Sequence, residues 1–277
     1  MKRDFIVKML GQAVLALLVC FVGVTMKNDA KVSFAEEAKV GLNARFCTYY
    51  GDSSENRKSN VELACRKING LILYPEEEFS FNGQVGERTV ANGFKTAYII
   101  SDGDFVEGVG GGVCQVSSTL YNCALLANLA ITCANPHSLP VSYVAPSFDA
   151  MVSSGSDFRF VNTLSAPIKI VMSANGRDLT AEIYGVDKTT IKRRSVTLEQ
   201  IPFETIEKES EDVPFGEQIV DTTGKNGIKS QGYLDYYKDG KLTKSVLIRS
   251  DYYAPQKRVI LIPPKQTPPT AMQIENE

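Results

Sequence analysis

The sequence predicts an α+β domain built around one central helix, followed by a small all-β unit. Apolar residues recur at helical spacing in two stretches, 60–73 and 114–128. Alternating apolar and polar runs then fill 158–184, and an Asn175-Gly176 pair marks a two-residue hairpin turn. From Glu199 the apolar residues thin out, and Gly216, Gly224, Gly227 and Gly240 punctuate short β-prone runs with no helical signal. Few helices followed by an antiparallel sheet is the α+β arrangement.

The chain of 277 residues is 43% hydrophobic, enough for one large or two modest domains. It opens with Met1-Lys-Arg, then an apolar run from Met9 to Val24, then a small-x-small site at Ser33 and Ala35. That is the pattern of a secretory signal. The run from Ile6 to Met26 approaches the ~20 residues that span a bilayer, so residues 1–35 are either a signal peptide or a signal anchor. Lys2 and Arg3 would keep that end cytoplasmic. Both topologies place the rest of the chain outside the cytoplasm, secreted or held to the membrane by this segment. The formal charge is −2, and no basic stripe appears, so nucleic acid is not an expected partner.

The expected organisation continues with the α+β domain over 36–187 and a linker or connecting strand over 188–198. The all-β unit covers 199–263, and a Pro/Thr/Gln-rich disordered tail covers 264–277. Within the first domain, Leu42 to Tyr50 is a first strand. The helix over 60–73 ends at Asn69-Gly70, and a strand runs from Phe94 to Ile100. Beyond the central helix, alternation through Val141 and Tyr143, a turn at Pro146, and a strand from Phe148 to Ser154 read as a hairpin. Five cysteines lie outside the N-terminal segment: Cys47, Cys65, Cys114, Cys123 and Cys133. Export permits disulfides, and Cys47 with Cys65 is one pairing the sequence allows. The odd number leaves at least one thiol free, with Cys114 the choice for it. The spacing fits no metal framework, and no metal or cofactor is expected.

Cys114 sits where a glycine-rich loop, Gly108-Val-Gly-Gly-Gly-Val, runs into the central helix. Backbone N–H groups at a helix start lack internal partners and carry partial positive charge. Both favour a thiolate, so a cysteine there is a candidate nucleophile; the plainer alternative is a small buried residue beside a tight packing turn. The loop lacks the Lys-Ser/Thr ending of a phosphate-binding loop. His137 is the sole histidine and so the sole imidazole base. A helix from Cys114 to Asn128 runs about 21 Å. An extended return from Ile131 to His137 covers about 20–23 Å, which brings the histidine back beside the helix start. Folding the hairpin about Pro146 places Asp157 near His137 as the orienting carboxylate, with Asp149 second. Gly110, Gly111, Gly112, Gln115, Ser117 and Ser138 are the candidate substrate contacts. The backbone N–H groups of Gly112 to Gln115, with the Gln115 amide, form a candidate oxyanion site. Helix cysteine, then histidine, then aspartate is the order of papain- and transglutaminase-like thiol enzymes, an analogy from order alone.

These residues also carry a resemblance. Gly110-Gly-Gly-Val-Cys114-Gln-Val-Ser-Ser-Thr-Leu-Tyr-Asn122, Pro136-His-Ser-Leu-Pro-Val-Ser-Tyr143 and Asp149-Ala150 resemble the VanW family. So do Asn56-Arg57 with Asn60, and Phe79-Ser-Phe-Asn82 with Val85-Gly86, so the likeness covers roughly 44–186. Glu199-Gln-Ile-Pro-Phe203 and the spaced glycines resemble a G5 domain. Two departures stand out: Cys133-Ala-Asn replaces a segment that often holds a basic residue, and Pro146-Ser147-Phe148 replaces a Pro-Gly turn.

The resemblance implies an exported bacterial envelope protein associated with vancomycin-resistance clusters, without supplying a reaction. Its G5-like part implies peptidoglycan or another N-acetylglucosamine-containing polymer as partner. Two function classes follow. One is a thiol-dependent hydrolase or acyl transferase of cell-wall peptides, with Cys114 as nucleophile, His137 as base and Asp157 or Asp149 orienting it. The other is a non-catalytic glycan-binding or adhesion module.

Overall fold

The computed structural model describes residues 41–264 apart from 102 and 188. The signal or anchor read over 1–35 and the tail from 265 lie outside the described residues. In chain order the elements are β1 (Gly41–Tyr49), α1 (Glu55–Ile68), β2 (Ile72–Leu73), β3 (Glu78–Ser80) and α2 (Phe81–Val85). Then come β4 (Thr96–Ser101), β5 (Asp104–Val109), α3 (Val113–Leu126), β6 (Ala130–Cys133) and β7 (Arg159–Val161). β8 (Ile168–Ala174) and β9 (Asp178–Gly185) close the first unit. The second comprises β10 (Thr190–Ile201), β11 (Thr205–Glu209), β12 (Ile219–Lys225), β13 (Gly227–Lys238), β14 (Lys241–Tyr253) and β15 (Gln256–Ile262).

The main sheet of the first unit is antiparallel, in the order β1-β9-β8-β2. Its strands alternate as a one-face-buried sheet must: Ala44 and Thr48, Ile168, Ile170 and Met172, and Leu179, Ala181 and Ile183 all point inward. That face packs on α3 and α1. α3 is buried on nearly every side, from Val116 and Leu120 to Ser117, Ser118 and Asn122. A helix enclosed in this way is held by its neighbours rather than by its own propensity. Each fully buried side chain such as Leu120 contributes roughly 1.5–3 kcal/mol. A second small sheet, β3-β7-β6, packs Phe79 on Phe160 at 4.9 Å between ring centroids.

α1 starts at Glu55, five residues before the helix expected over 60–73. Ser54 caps it by accepting from the Arg57 backbone N–H, and the chain leaves it at Asn69. The β8–β9 turn spans Asn175 to Arg177, three residues rather than two. Gly176 is at φ 82° and Asn175 Oδ1 accepts from the Asp178 backbone N–H at 2.7 Å. Neither the strand expected over 148–154 nor the hairpin about Pro146 forms. Between β6 and β7 the chain is irregular, tied by a single bridge between Asn135 and Met151. All five cysteines outside the N-terminal segment are free, and Cys65 is buried while Cys47 is exposed, so the pairing of Cys47 with Cys65 is not made.

The second unit is all-β, with sheets β10-β13-β14 and β11-β15-β12. The stretch 188–198 is not a free linker. From Thr190 it is strand β10, paired along its length with β13. The two strands continue the core of the first unit: Ile191 of β10 and Leu234 of β13 join the hydrophobic cluster around α3. The Arg193 guanidinium lies 4.2 Å from the Phe46 ring centroid and 4.8 Å from that of Phe148, and it donates to Asn122 Oδ1. Burial brings this guanidinium down to about 10. The two units are therefore packed through a shared interior.

Candidate active site

Cys114 occupies the first turn of α3, immediately after Gly110 (φ 90°) and Gly112 (φ 103°). These two positions require glycine for their backbone angles, and Gly111 requires it for space. A Cβ there would stand 2.5 Å from the Tyr98 carbonyl oxygen of β4. Asn60, fully buried on α1, fixes the loop from behind. Its Nδ2 donates to the Gly111 carbonyl at 3.0 Å and the Lys95 carbonyl at 2.9 Å, and its Oδ1 accepts from the Lys95 backbone N–H at 2.7 Å.

The return from α3 passes through β6 and brings His137 to the helix start. Its ring meets the Asp149 carboxylate on one side, with the Cys114 sulfur near enough for thiolate and imidazolium to stabilise each other. The Asp149 contact is Nδ1 to Oδ2 at 2.7 Å, which leaves Nε2 for the sulfur. The His137 backbone N–H donates to the same oxygen at 2.7 Å. On the Cys114 side, Sγ donates to the Val152 carbonyl at 3.3 Å as a thiol and accepts from the Val152 backbone N–H at 3.5 Å.

Asp149 is the orienting carboxylate, and Asp157 is not. Asp157 accepts from the Ser80 hydroxyl at 2.6 Å, the Asn82 backbone N–H at 2.9 Å and Arg159 Nε at 2.7 Å, pinning α2 to β7. The hairpin register that favoured it fails because Pro146 to Asp149 is drawn onto the second unit instead. Ser147, buried at φ 66°, donates its backbone N–H to Tyr253 Oη at 2.7 Å, and its hydroxyl pairs with that of Ser230 at 2.8 Å. Ser195 Oγ donates to the Pro146 carbonyl at 2.8 Å. This positive φ is what a Pro-Gly turn would supply without strain; in Ser147 the cost is about 1–2 kcal/mol, set against those hydrogen bonds.

Two residues of β14 complete the Asp149 environment. Arg249 donates to Oδ1 at 2.9 Å and to the Asp149 carbonyl at 2.8 Å, and Tyr253 Oη donates to Oδ1 at 2.5 Å. Both carboxylate oxygens are thus satisfied in the interior.

The protonation states follow. Burial alone pushes Asp149 up, but His137, Arg249 and Tyr253 together hold it below the usual carboxylate range. Burial pulls His137 down, yet the Asp149 and Cys114 contacts outweigh it and raise the imidazole to about 9. Burial pushes the Cys114 thiol up, and His137, the Val152 backbone and Arg88 reverse that to a net lowering. These contacts favour a thiolate facing an imidazolium, with the carboxylate behind it, over the neutral thiol and imidazole. Nearby, burial and the charges of Cys114 and Asp149 keep Tyr143 a neutral phenol.

A cleft of about 950 Å³ opens over the pair, lined by Gly110, Gly111, Gly112, Cys114 and His137, and walled by Tyr98, Ile99 and Phe105. The other expected contacts are spent elsewhere. Gln115 lines the cleft, but its Nε2 donates to Thr48 Oγ1 at 3.0 Å and the Tyr49 carbonyl at 2.9 Å, while its Oε1 accepts from Arg57. Ser117 is buried and donates to the Ala150 carbonyl at 2.5 Å. Ser138 lies off the cleft, its carbonyl accepting from the Ala254 backbone N–H at 3.0 Å. The oxyanion donors narrow likewise. The Val113 and Gln115 backbone N–H groups bond the Gly110 and Gly112 carbonyls, which leaves those of Cys114 and Gly112 as the candidates among the cleft-lining residues.

Arg249 and Tyr253 were not legible as site residues, since they lie a hundred positions from Asp149 with no local motif. Arg57 and Arg88 were missed too, although Asn56-Arg57 stands within the quoted resemblance and Arg88 follows Val85-Gly86.

A cysteine at a helix start, an imidazole beside it and a carboxylate bonded to that imidazole form a thiol–imidazole–carboxylate arrangement of the kind nucleophilic enzymes use. The chain carries a VanW-like domain, matched over residues 56–184, followed by a C-terminal G5 domain matched over 192–265. The first match begins inside α1 and the second inside β10.

Over 153 residues the chain is 40% identical to the uncharacterized protein YoaR of Bacillus subtilis (strain 168), covering 55% of this chain and 50% of that protein. Over 136 residues it is 26% identical to the vancomycin B-type resistance protein VanW of Enterococcus faecalis (strain ATCC 700802 / V583), covering 47% and 50%. The chain thus spans about half the length of the curated relatives it matches. A crystal structure of HP0197-G5 aligns at 26% identity and TM-score 0.16, covering 27% of this chain and 99% of that one.

Proposed function

We propose that this protein is an exported, thiol-dependent hydrolase or acyl transferase acting on amide bonds of cell-wall peptides. The observation that carries the reading is His137, hydrogen-bonded to the Asp149 carboxylate and lining one open cleft together with Cys114. The Cys114 thiolate attacks the carbonyl carbon, forming the S–C bond. The carbonyl oxygen takes up the electron pair against the Cys114 and Gly112 backbone N–H groups. The imidazolium gives its proton to the leaving amine as the C–N bond breaks, leaving a thioester on Cys114. Water or an acceptor amine then attacks the thioester, surrendering its proton to His137, and the acyl group leaves as acid or new amide.

The cell-wall setting is supported by the pairing of VanW-like and G5 domains, both linked to cell-wall-associated proteins. On this reading the G5 unit holds the enzyme on peptidoglycan or a related N-acetylglucosamine-containing polymer, and the N-terminal segment directs export. The test is thiol labelling. Near neutral pH, iodoacetamide should modify Cys114 well ahead of Cys47 and Cys133, and His137→Ala should slow that reaction by about tenfold or more, because the thiolate loses the cation that stabilises it. Slow labelling of Cys114, unchanged by His137→Ala, would favour a non-catalytic binding module.

A further inference from the structure

The glycine loop that presents Cys114 is flanked by two arginines. Arg57 lies against Gly112, whose added Cβ would meet Arg57 Cγ at 2.8 Å; Arg88 lies against Gly110, whose added Cβ would meet Arg88 Cβ at 2.8 Å. Both line the cleft, and the charge of each is felt at Cys114. Their partners in the fold are neutral. Arg57 donates to Ser53 Oγ at 2.7 Å and Gln115 Oε1 at 2.8 Å, and Arg88 to Asn82 Oδ1 at 2.7 Å and the Gly86 carbonyl at 3.3 Å.

Among the described residues no ion pair joins either guanidinium to a carboxylate. Burial is costly enough to lower both arginines below their ordinary value. For each, at least one guanidinium nitrogen remains outside these bonds: Nε of Arg57, and Nε and Nη2 of Arg88. Half-buried guanidinium groups with no carboxylate in contact, both beside the loop that presents the nucleophile, are suited to an anion that arrives with the substrate.

We infer that the cleft selects acyl substrates bearing a carboxylate close to the bond under attack, which Arg57 and Arg88 clamp from either side of the glycine loop. This rests on the thiol-enzyme reading above and names the substrate class for it. The clamp also positions: a carboxylate held at two points fixes the adjacent carbonyl over Cys114 and the loop N–H groups.

Iodoacetate and iodoacetamide test this directly. Both alkylate a thiolate with loss of iodide, and they differ in one being a carboxylate. With a free thiol such as glutathione as reference, Cys114 should show an iodoacetate-to-iodoacetamide rate ratio about tenfold or more higher, as charge-assisted bonds to the reagent imply. The iodoacetate rate should also saturate with concentration. Arg88→Gln and Arg57→Gln should each return the ratio towards the reference; any change they make to the acidity of the thiol alters both rates together and cancels in the ratio. Arg88→Gln carries the test if loss of the Gln115 contact unfolds the Arg57 variant.

Protection of Cys114 by N-acetyl-alanyl-alanine but not its C-terminal amide would identify a terminal carboxylate. Protection by N-acetyl-alanyl-glutamic acid α-amide would identify an acidic side chain. A reference-like ratio, unmoved by both variants, overturns the clamp and leaves the thiol-enzyme reading standing. Inertness of Cys114 to both reagents overturns that reading and the clamp with it.

Discussion

The Tyr253 hydroxyl, at the end of β14, donates to Asp149 Oδ1 at 2.5 Å, so the G5 domain holds the carboxylate that orients the histidine of the VanW-like domain. Arg249, from the same strand, grips the same oxygen and the Asp149 carbonyl. A carboxylate buried beside a thiolate would otherwise take up a proton or turn towards solvent. The second domain therefore does more than bring the first to a surface; it supplies half the hydrogen-bond shell of the site.

Tyr253→Phe should expose that dependence. The change leaves the buried Ser147 N–H without its acceptor and removes one donor from Asp149, a loss of about 1–3 kcal/mol of stability. Cys114 alkylation at neutral pH should slow several-fold as His137 loses its fixed orientation. In a His137→Ala background the same substitution should leave the alkylation rate unchanged, because its effect runs through the imidazole. An equal slowing in both backgrounds would make Tyr253 merely structural.

Gly111→Ala should damage the site through the backbone. Its Cβ would meet the Tyr98 carbonyl oxygen at 2.5 Å and the Ala97 carbonyl carbon at 2.8 Å, atoms of β4 that cannot rotate away. Either the strand or the loop must move, at a cost of about 1–3 kcal/mol. Gly155→Ala, whose Cβ meets nothing within 4 Å, should stay within about 0.5 kcal/mol of wild type. Denaturant midpoints for the two variants decide this.

Asn60→Ala removes three hydrogen bonds from a buried position and strands the Lys95 N–H and the Gly111 carbonyl. The expected loss is about 2–4 kcal/mol. Part of it should be visible as faster amide exchange in the glycine loop than at the far end of α3.

The placement of Cys114 at a helix start was legible because its signals are local: glycines demanding positive φ, then a 3.6-residue apolar period. The main sheet was legible for the same reason, from period-two alternation in β8 and β9. The orienting aspartate was not. Choosing Asp157 over Asp149 assumed an ideal hairpin, whereas Ser147 is pulled into a left-handed conformation by Tyr253 and Ser230 from the other domain. Nothing within twenty residues of Asp149 announces those partners. Over 188–198 the sequence left linker and connecting strand open, and the strand forms. Arg193 lies over the Phe46 and Phe148 rings, and Arg194 pairs with Asp235 on β13. Long-range pairing turned a polar run into a structural strand.

The pH dependence of stability tests the charge state of His137. Its imidazole stands at about 9 in the fold against an ordinary 6.5, held up by Asp149 and Cys114 against the pull of burial. A raised folded value means that the native state keeps a proton the unfolded chain gives up. Taken alone, that contribution is full below about 6.5 and is lost as pH rises through about 9. The lowered Cys114 thiol works in the opposite sense across the same range, so in wild type the two offset each other. Asp149 also opposes it: its lowered value contributes stability above the ordinary carboxylate range, and that part disappears as pH falls through it. Urea denaturation of Cys114→Ser and of the Cys114→Ser, His137→Gln double variant at pH 6, 7.5 and 9.5 therefore reads the imidazole by itself. The advantage conferred by the histidine should be largest at pH 6, on the order of 1–3 kcal/mol, and should shrink steadily to pH 9.5. A constant advantage across that range would mean that Asp149 does not hold a proton on His137.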